Sequence, residues 1–427
     1  MLSHGSREQA GISRLGSDRE RGRSRLRILT ISPHVPLPAE SGGKIRSLLM
    51  ISALASEHDL DLLALSGGGD ETEALRDLGA VCGRATILQR RKRSSPMVIA
   101  KLASWSAVRS EILERHWSPA ATESVRGALA ARHHDLVVLD STFVAGAAPA
   151  IGRTPFVLAL QNVESSILRL AAAAPVALPR RVAARIEAAL VESVERDLAV
   201  RAAAVITVSE ADRQRLLEIA PAARVQVVPN TVDLARLPLL PPPAPTRPLL
   251  LFVGWLGYPP NHDAAIQFCS AVMPAIRQRI RDVRGRIVGG GADARLARIA
   301  EDAGVEMTGR VDDVLPHYHD SFAVLVPMRI GGGSRIKVLE AMAVGRPLVA
   351  TGIAASGLPL EDGTHFLRAE NGSDFSAAIE ALRRDPARVA AIVAAARRLV
   401  EAGHDHPIAA ACWRGIVRSL APERTAP

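Results

Sequence analysis

Apolar positions along the chain gather in short unbroken runs, divided by longer stretches in which they recur at helical spacing. The runs LRILTIS, DLDLLAL, ATILQ, DLVVLD, FVLAL, AVITVS and VQVVP read as strands buried on both faces. After the first, the loop PHVPLPAESGGK leads into IRSLLMISALASE, which sets Ile45, Leu48 and Leu49 on one side of a helix. Strand, glycine-bearing loop, helix, strand is a βαβ unit, and such units build parallel sheets. The alternation resumes with LLLFVG, GRIVGG, VEMTG, AVLVPM and PLVAT as strands. DAAIQFCSAVMPAIRQRI, DARLARIAEDA and RIKVLEAMAVG read as the helices between them. The two series are parted by LPLLPPPAPTRP, half of whose residues are proline, so no regular element runs through it.

The expected fold is α/β, with two Rossmann-like doubly wound domains facing a cleft. Residues 1–25 read as a disordered basic tail and 26–236 as the first domain. Residues 237–248 form the linker, 249–402 the second domain, and 403–427 a last helix crossing back to the first. Ligands of such sheets bind beyond the C-terminal ends of the strands, so a shared site is expected in the cleft.

A length of 427 residues agrees with two cores rather than one. The net charge of +9 suggests nucleic acid until it is located. Residues 1–27 hold seven Arg against Glu8, Asp18 and Glu20, and residues 90–101 hold Arg90, Arg91, Lys92, Arg93 and Lys101 with no acid. Together these account for the whole excess. Aromatics make up 3% of the chain, too few for base-stacking platforms, so nucleic acid is not an expected partner. The basic 90–101 stretch suits a solvated loop or peripheral contact with an anionic membrane. No apolar run is long enough to cross a bilayer, no secretory signal is legible, and the three cysteines form no framework. A cytoplasmic protein, peripheral at most to the inner face of the cell membrane, is expected.

Candidate chemistry concentrates in PMRIGGGSRIKVLEAMAVGRPLVAT, residues 327–351. Gly331, Gly332, Gly333 and Ser334 open a helix whose later positions are apolar all round, apart from Lys337 and Glu340. Such a helix is buried, and a buried carboxylate needs partners. Lys337 could pair with Glu340 structurally. Alternatively, Glu340 accepts ribose hydroxyls, while the bare glycine amides with Arg335 and Lys337 hold a diphosphate. Asp140, closing DLVVLD, reads as a helix cap or a cleft residue. Asn162 and Glu164 follow FVLAL and face the cleft. The runs HHD, HYHD and HDH imitate metal motifs but lack ligand spacing, so no metal site is expected. GIAASGL, residues 352–358, is a turn or a flap over the ligand.

Taken in order, LLFVGWLGYPPNHDA, RIVGGG, VEMTGRVDDV and the 327–351 segment resemble the retaining GT-B glycosyltransferases of family 4 (glycosyl transferases group 1), in a variant with a GGG-x-R-x-K-x-x-E motif. PLPAESGGKIRS, QNVESSILR, ITVSEADR and VVPNTVD extend the resemblance over roughly residues 26–420. It implies a metal-independent, cofactor-free transfer of sugar from a nucleotide-diphosphate sugar to a glycan or lipid-linked acceptor, in surface polysaccharide biosynthesis. Glu340 matches the second Glu of the family's E-x7-E motif, and Gly42 and Gly43 match the glycine loop at the donor phosphate. Val311 falls where backbone reads the nucleobase; Gly254, Gly257, Asn261 and Gly290 fall on the donor side. Arg335, Lys337, Glu340 and Gln161 are the expected catalytic set; Asp140, Asn162 and Glu164 lie on the acceptor side.

Three positions depart from the family. Gly332 stands at the first Glu of E-x7-E, Trp255 where an Arg grips phosphate, and Gln161 where a His lies near the sugar. Arg335 and Lys337 are expected to supply the missing charge. Gly332 and Gln161 keep two other readings open, a catalytically degenerate nucleotide-sugar-binding protein and a GT-B nucleotide-sugar epimerase.

Overall fold

A computed structural model describes residues 25–90, 110–173, 178–243, 248–331 and 336–420. The tail at 1–24 and residues 91–109 lie outside them, as do 332–335.

Seven strands form the first sheet: β1 (Arg27–Ser32), β2 (Asp59–Leu65), β3 (Arg84–Leu88), β4 (Leu136–Asp140), β5 (Phe156–Ala159), β6 (Ala204–Thr207) and β7 (Val225–Val227). Their order is β3-β2-β1-β4-β5-β6-β7, and every pairing is parallel. Alternate residues serve opposite faces. Ile28 and Val138 enter one apolar cluster, while Leu29, Ile31, Val137 and Leu139 enter another. Two-sided burial is why these strands are apolar at most positions on both faces.

The second sheet holds β8 (Leu249–Val253), β9 (Arg284–Val288), β10 (Val305–Met307), β11 (Ala323–Val326), β12 (Leu348–Ala350) and β13 (Leu367–Arg368), ordered β10-β9-β8-β11-β12-β13 and again all parallel. One cluster around Phe252, Phe268 and Tyr318 packs it. Both sheets reverse their winding, between β1 and β4 and between β8 and β11. Those reversals open crevices where ligands of such sheets bind.

The chain crosses between the sheets twice. The outward passage carries Val232, whose N–H donates to His404 O at 2.9 Å and whose carbonyl accepts from His406 N at 3.0 Å. His404 and His406 belong to the return passage, so the two crossings lie side by side, with Leu234 N also bonded to Asp405 Oδ1 at 3.2 Å. The linker prolines then lie along the second sheet's helices. Arg346, 3% exposed, donates to Pro241 O at 2.8 Å and Tyr318 O at 2.8 Å, and burial lowers its pKa to about 10. The last helix, His406–Leu420, returns to the first sheet and buries Trp413, Ile416 and Val417 beside Ile28. Arg414 and Arg418 clasp Glu57 there at 3.1 and 2.7 Å.

Candidate active site

On the second sheet, three neighbouring strands end in glycine turns bonded to one another. Gly254 N donates to Val288 O at 2.9 Å, Leu256 N to Gly290 O at 2.8 Å, and Gly289 N to Gly309 O at 3.0 Å. Gly289 has φ 145°, and a Cβ there would stand 2.0 Å from Gly254 O, so only glycine fits. Trp255 lies over this platform 47% exposed, its ring so near Gly257 that a Cβ would come within 2.6 Å of it. Val311 is half-buried against the core beyond β10.

Lys337 comes up beneath that platform from the helix Ile336–Ala343. The side chain is 9% exposed, with Nζ 4.8 Å from the centre of the Phe252 ring. It donates to Asn261 Oδ1 at 2.5 Å, and Asn261 Nδ2 donates to Trp255 O at 2.8 Å. Asn261 therefore uses both ends of its amide to tie the lysine to the Trp255 turn. A Cβ on Gly254 would approach Nζ to 2.8 Å, so the glycine makes room for the ammonium.

Glu340, one turn further on, accepts from Tyr318 Oη at 2.9 Å. The hydrogen-bonded partner of this carboxylate is thus a tyrosine rather than Lys337, which acts on it only through charge. Burial raises the Glu340 pKa, while the Tyr318 bond and the Lys337 charge hold it down. Tyr318 is fully buried and its pKa is pushed well above 10 by burial and by Glu340, so it remains a donor. The glycine run begins at Gly331, with φ 129°. Just before it, Arg329 is fixed to Asp263 by bonds of 3.1 and 2.5 Å. Gly332, Gly333, Ser334 and Arg335 lie outside the described residues.

On the first sheet, Gly42 and Gly43 form the opening turn of a helix, Gly42–Ala55, rather than the end of a loop. The reason is Ser41, whose Oγ accepts from Lys44 N and starts the helix three residues before its apolar stripe. Ser47, on the same helix, is hydrogen-bonded to Asp140 Oδ2 at 2.5 Å. Asp140, 2% exposed, also accepts from Ser32 Oγ at 3.0 Å and from Gln161 Nε2 at 3.4 Å. It caps no helix: the cap on the turn after β4 is Ser141, which bonds Phe143 N. Two further groups stand behind this cluster. His34 Nε2 is 3.1 Å from Ser47 Oγ, and burial lowers its pKa against the pull of Asp140. Buried Arg46 donates to Val228 O and Asn230 Oδ1, and its Nη2 finds no partner among the described residues. Burial brings its pKa to about 10, with Asp140 and Asp212 opposing.

Glu164 opens the helix after β5 and accepts from Asn162 Nδ2 at 3.2 Å. Burial raises its pKa to about 7, against the Asn162 bond and with help from the charges of Glu195 and Asp212. Glu195, wholly buried, accepts from Glu164 N at 2.8 Å and from Ser165 Oγ at 2.5 Å. Sequence reasoning passed over it, though it occupies the inward face shared by Ala188, Val191 and Leu198, where a carboxylate is out of place.

The two halves meet. A Cβ on Gly42 would stand 3.4 Å from Ile336 Cδ1, so the first residues of the two helices lie close together. Arg310, beside Val311, reaches Glu40 at 2.7 Å and bridges the same gap. Of the expected residues that are described, Gly42, Gly43, Asp140 and Gln161 gather on the first sheet's side, with Asp140 buried. Gly254, Gly257, Asn261, Gly290, Lys337 and Glu340 belong to the second sheet's side.

The histidine runs serve the fold. His134 bonds Asp61 at 2.9 Å, His404 bonds Asn230 O at 2.8 Å, and HYHD turns its tyrosine inward. Among the described residues no group of three His, Cys, Asp or Glu is placed to hold a metal, and no helix is long and apolar enough to cross a membrane. Within the basic stretch only Arg90 is described, and it donates to Pro33 O at 2.5 Å. GIAASGL becomes a short helix, Gly352–Ala355, capped by Thr351.

The family model Glycosyltransferase Family 4 matches residues 41–236, and Glycosyl transferases group 1 matches residues 247–385. No curated protein sequence matches the chain. Among solved structures, sucrose-phosphate synthase from Thermosynechococcus elongatus is similar at 17% identity and TM-score 0.70, over 93% of this chain and 99% of that one. HepE from Anabaena, in complex with UDP-glucose, is similar at 14% identity and TM-score 0.66, over 92% and 100%. WaaG, a glycosyltransferase involved in lipopolysaccharide biosynthesis, is similar at 14% identity and TM-score 0.64, over 91% and 99%. With two parallel sheets facing across a cleft and a family model on each, the chain belongs to the GT-B glycosyltransferases of family 4 and group 1.

Proposed function

We propose that this enzyme is a retaining glycosyltransferase that moves a sugar from a nucleotide-diphosphate sugar to a glycan or lipid-linked acceptor in surface polysaccharide biosynthesis. One observation carries the reading: the first residues of two helices, Gly42 and Ile336, come together from the two halves, and the next residue, Lys337, holds its ammonium at Asn261 and Gly254. Helix N-termini and a fixed ammonium favour an anion, and a diphosphate is the anion such a cleft takes. Arg335 and the amides of Gly331, Gly332, Gly333 and Ser334 would add to that hold.

Glu340 accepts ribose hydroxyls, Tyr318 leaving it free lone pairs. The platform of Gly254, Gly257, Gly290 and Val311 lies under the nucleoside. Asp140, Asn162 and Glu164 lie toward the acceptor. In the step itself the acceptor oxygen bonds to the anomeric carbon on the face that the diphosphate leaves. The bond from that carbon to phosphate oxygen breaks, and the same oxygen takes the acceptor proton. No metal is required, because fixed positive charge meets the charge developing on the diphosphate. The protein works in the cytoplasm, where nucleotide sugars are made. Contact with an anionic membrane through residues 90–101 belongs to the same proposal.

Thermal stabilisation by free and sugar-linked UDP, GDP, dTDP, ADP and CMP, without metal, tests this reading. HepE holds UDP-glucose, which puts uridine ligands first. A ligand at a hundred times its dissociation constant adds about 2.7 kcal/mol. A shift with one diphosphate, lost in Glu340→Ala and in Arg335→Ala/Lys337→Ala, supports the site. No shift with any ligand sinks it and favours the degenerate scaffold. A sugar product formed without any acceptor points to epimerisation.

A further inference from the structure

The geometry points to Asp140 as a positioning residue that fixes the side-chain amide of Gln161, presenting its carbonyl oxygen at the glycine turn to a hydroxyl of the transferred sugar. The inference rests on the reading above and concerns how that site selects its sugar.

Gln161 Nε2 lies 3.4 Å from Asp140 Oδ1 and 3.4 Å from Ser47 Oγ. An ionised carboxylate only accepts, so the amide must turn its nitrogen to Asp140. Ser47 has a single hydroxyl proton. Asp140 Oδ2 at 2.5 Å and Gly43 O at 3.0 Å compete for it; the nearer, carboxylate acceptor takes it and leaves Ser47 Oγ an acceptor for Gln161 and His34. Ser32 Oγ fills a further lone pair of Asp140 at 3.0 Å. With the Ser47 proton on Asp140, the bonds from Ser32, Ser47 and Gln161 all run toward the carboxylate.

The other end of the amide is then determined. Gln161 Oε1 lies over Gly43, where a Cβ would approach it to 2.5 Å. Gly43 is thus bare for a second reason besides ligand approach: it seats the glutamine. A glutamine held this way offers a neutral acceptor at the cleft and no donor. A histidine at this position could offer either, according to its tautomer. The site therefore prefers a sugar with a free hydroxyl over Gly43, and discriminates against one whose hydroxyl there is removed or capped.

The test compares UDP with UDP-glucose, and likewise the other free and sugar-linked pairs, by titration calorimetry and turnover. Wild type, Asp140→Asn, Gln161→Ala and the double variant are used, each checked for folding by its melting transition. Binding of the sugar-free nucleotide should stay within about twofold in all four. Asp140→Asn should lower sugar-linked affinity and turnover about tenfold, the worth of one ordinary hydrogen bond. In the Gln161→Ala background it should cost nothing further. Equal losses in both backgrounds, or losses shared by the sugar-free nucleotide, overturn the positioning role and leave the donor site standing. A wild type that binds no nucleotide sinks both.

Should Asp140→Asn fail to fold, Gln161→Glu decides. Its carboxylate faces Asp140 with like charge at pH 8, whereas protonated it donates to Asp140 and restores the carbonyl at Gly43. Sugar-linked affinity should be lost at pH 8 and regained toward pH 5. Wild type serves as control for His34, Arg46 and Glu164, the other titratable groups nearby. A flat profile overturns the proposal.

Discussion

Tyr318 gives its hydroxyl hydrogen to Glu340 at 2.9 Å, and neither residue is on a strand. The tyrosine sits on a six-residue helix, Leu315–Asp320, that Arg346 ties to the linker through Tyr318 O and Pro241 O. Whatever Glu340 holds is thereby coupled to a helix outside the crevice.

Tyr318→Phe should cost about 1–3 kcal/mol at pH 8, the worth of a hydrogen bond to a charged group. Without the hydroxyl, the already raised pKa of Glu340 climbs further. A carboxyl with raised folded-state pKa favours the native state at low pH and loses that advantage as pH rises through the folded value. The deficit of the variant should therefore shrink toward pH 5. Chemical denaturation at both pH values checks this, and an equal deficit at each would sink it.

Gly289→Ala sets a Cβ 2.0 Å from a backbone carbonyl at a left-handed φ, where no side-chain rotation relieves it. A loss on the order of 3 kcal/mol or more is expected. Gly43→Ala meets the end of the Gln161 side chain and touches His34 Cε1 at ordinary contact, with no backbone in the way, so its melting point should stay near wild type while sugar transfer falls. Melting curves and turnover for the pair separate a fold glycine from a site glycine. The idea fails if Gly43→Ala destabilises as much as Gly289→Ala.

Glu164 carries a folded-state pKa of about 7, pushed up by burial from its ordinary 4.5. Its proton stabilises the native state below pH 4.5, and that contribution is lost as pH rises through 7. The full effect is about 3 kcal/mol, less what partial exposure screens. Glu164→Gln, neutral throughout, should lose less stability than wild type between pH 5 and pH 8. Parallel stability profiles for the two proteins would refute this.

Trp413 is 1% exposed in the first sheet's cluster although its helix follows the second domain. Trp413→Ala should cost about 3–5 kcal/mol. Limited proteolysis should then release the segment after His404 before either sheet is cut. Cleavage beginning inside a sheet would contradict that order.

The strands were legible because burial on both faces keeps them apolar at most positions: DLVVLD and LLLFVG admit few other readings. Helix starts were less so. The apolar stripe suggests Ile45, and the cap at Ser41 moves the start to Gly42, placing the glycines at an N-terminus. Lys337 and Glu340 stood out as the only charges on an apolar helix. Their partners did not: Tyr318 lies in a short polar segment with no period, and Asn261 acts across a gap of 76 positions. Glu195 was readable in principle, as a charge on an inward face. The pair Glu40 and Arg310 was not, since no local pattern tells one domain how it faces another.

The paired crossings at Val232 and Asp405 bear on motion. They pair through one parallel bridge, with Val232 bonded on either side of Asp405. Any hinge between the two halves has to carry both crossings together. The cleft then turns on one joint and not on two independent linkers.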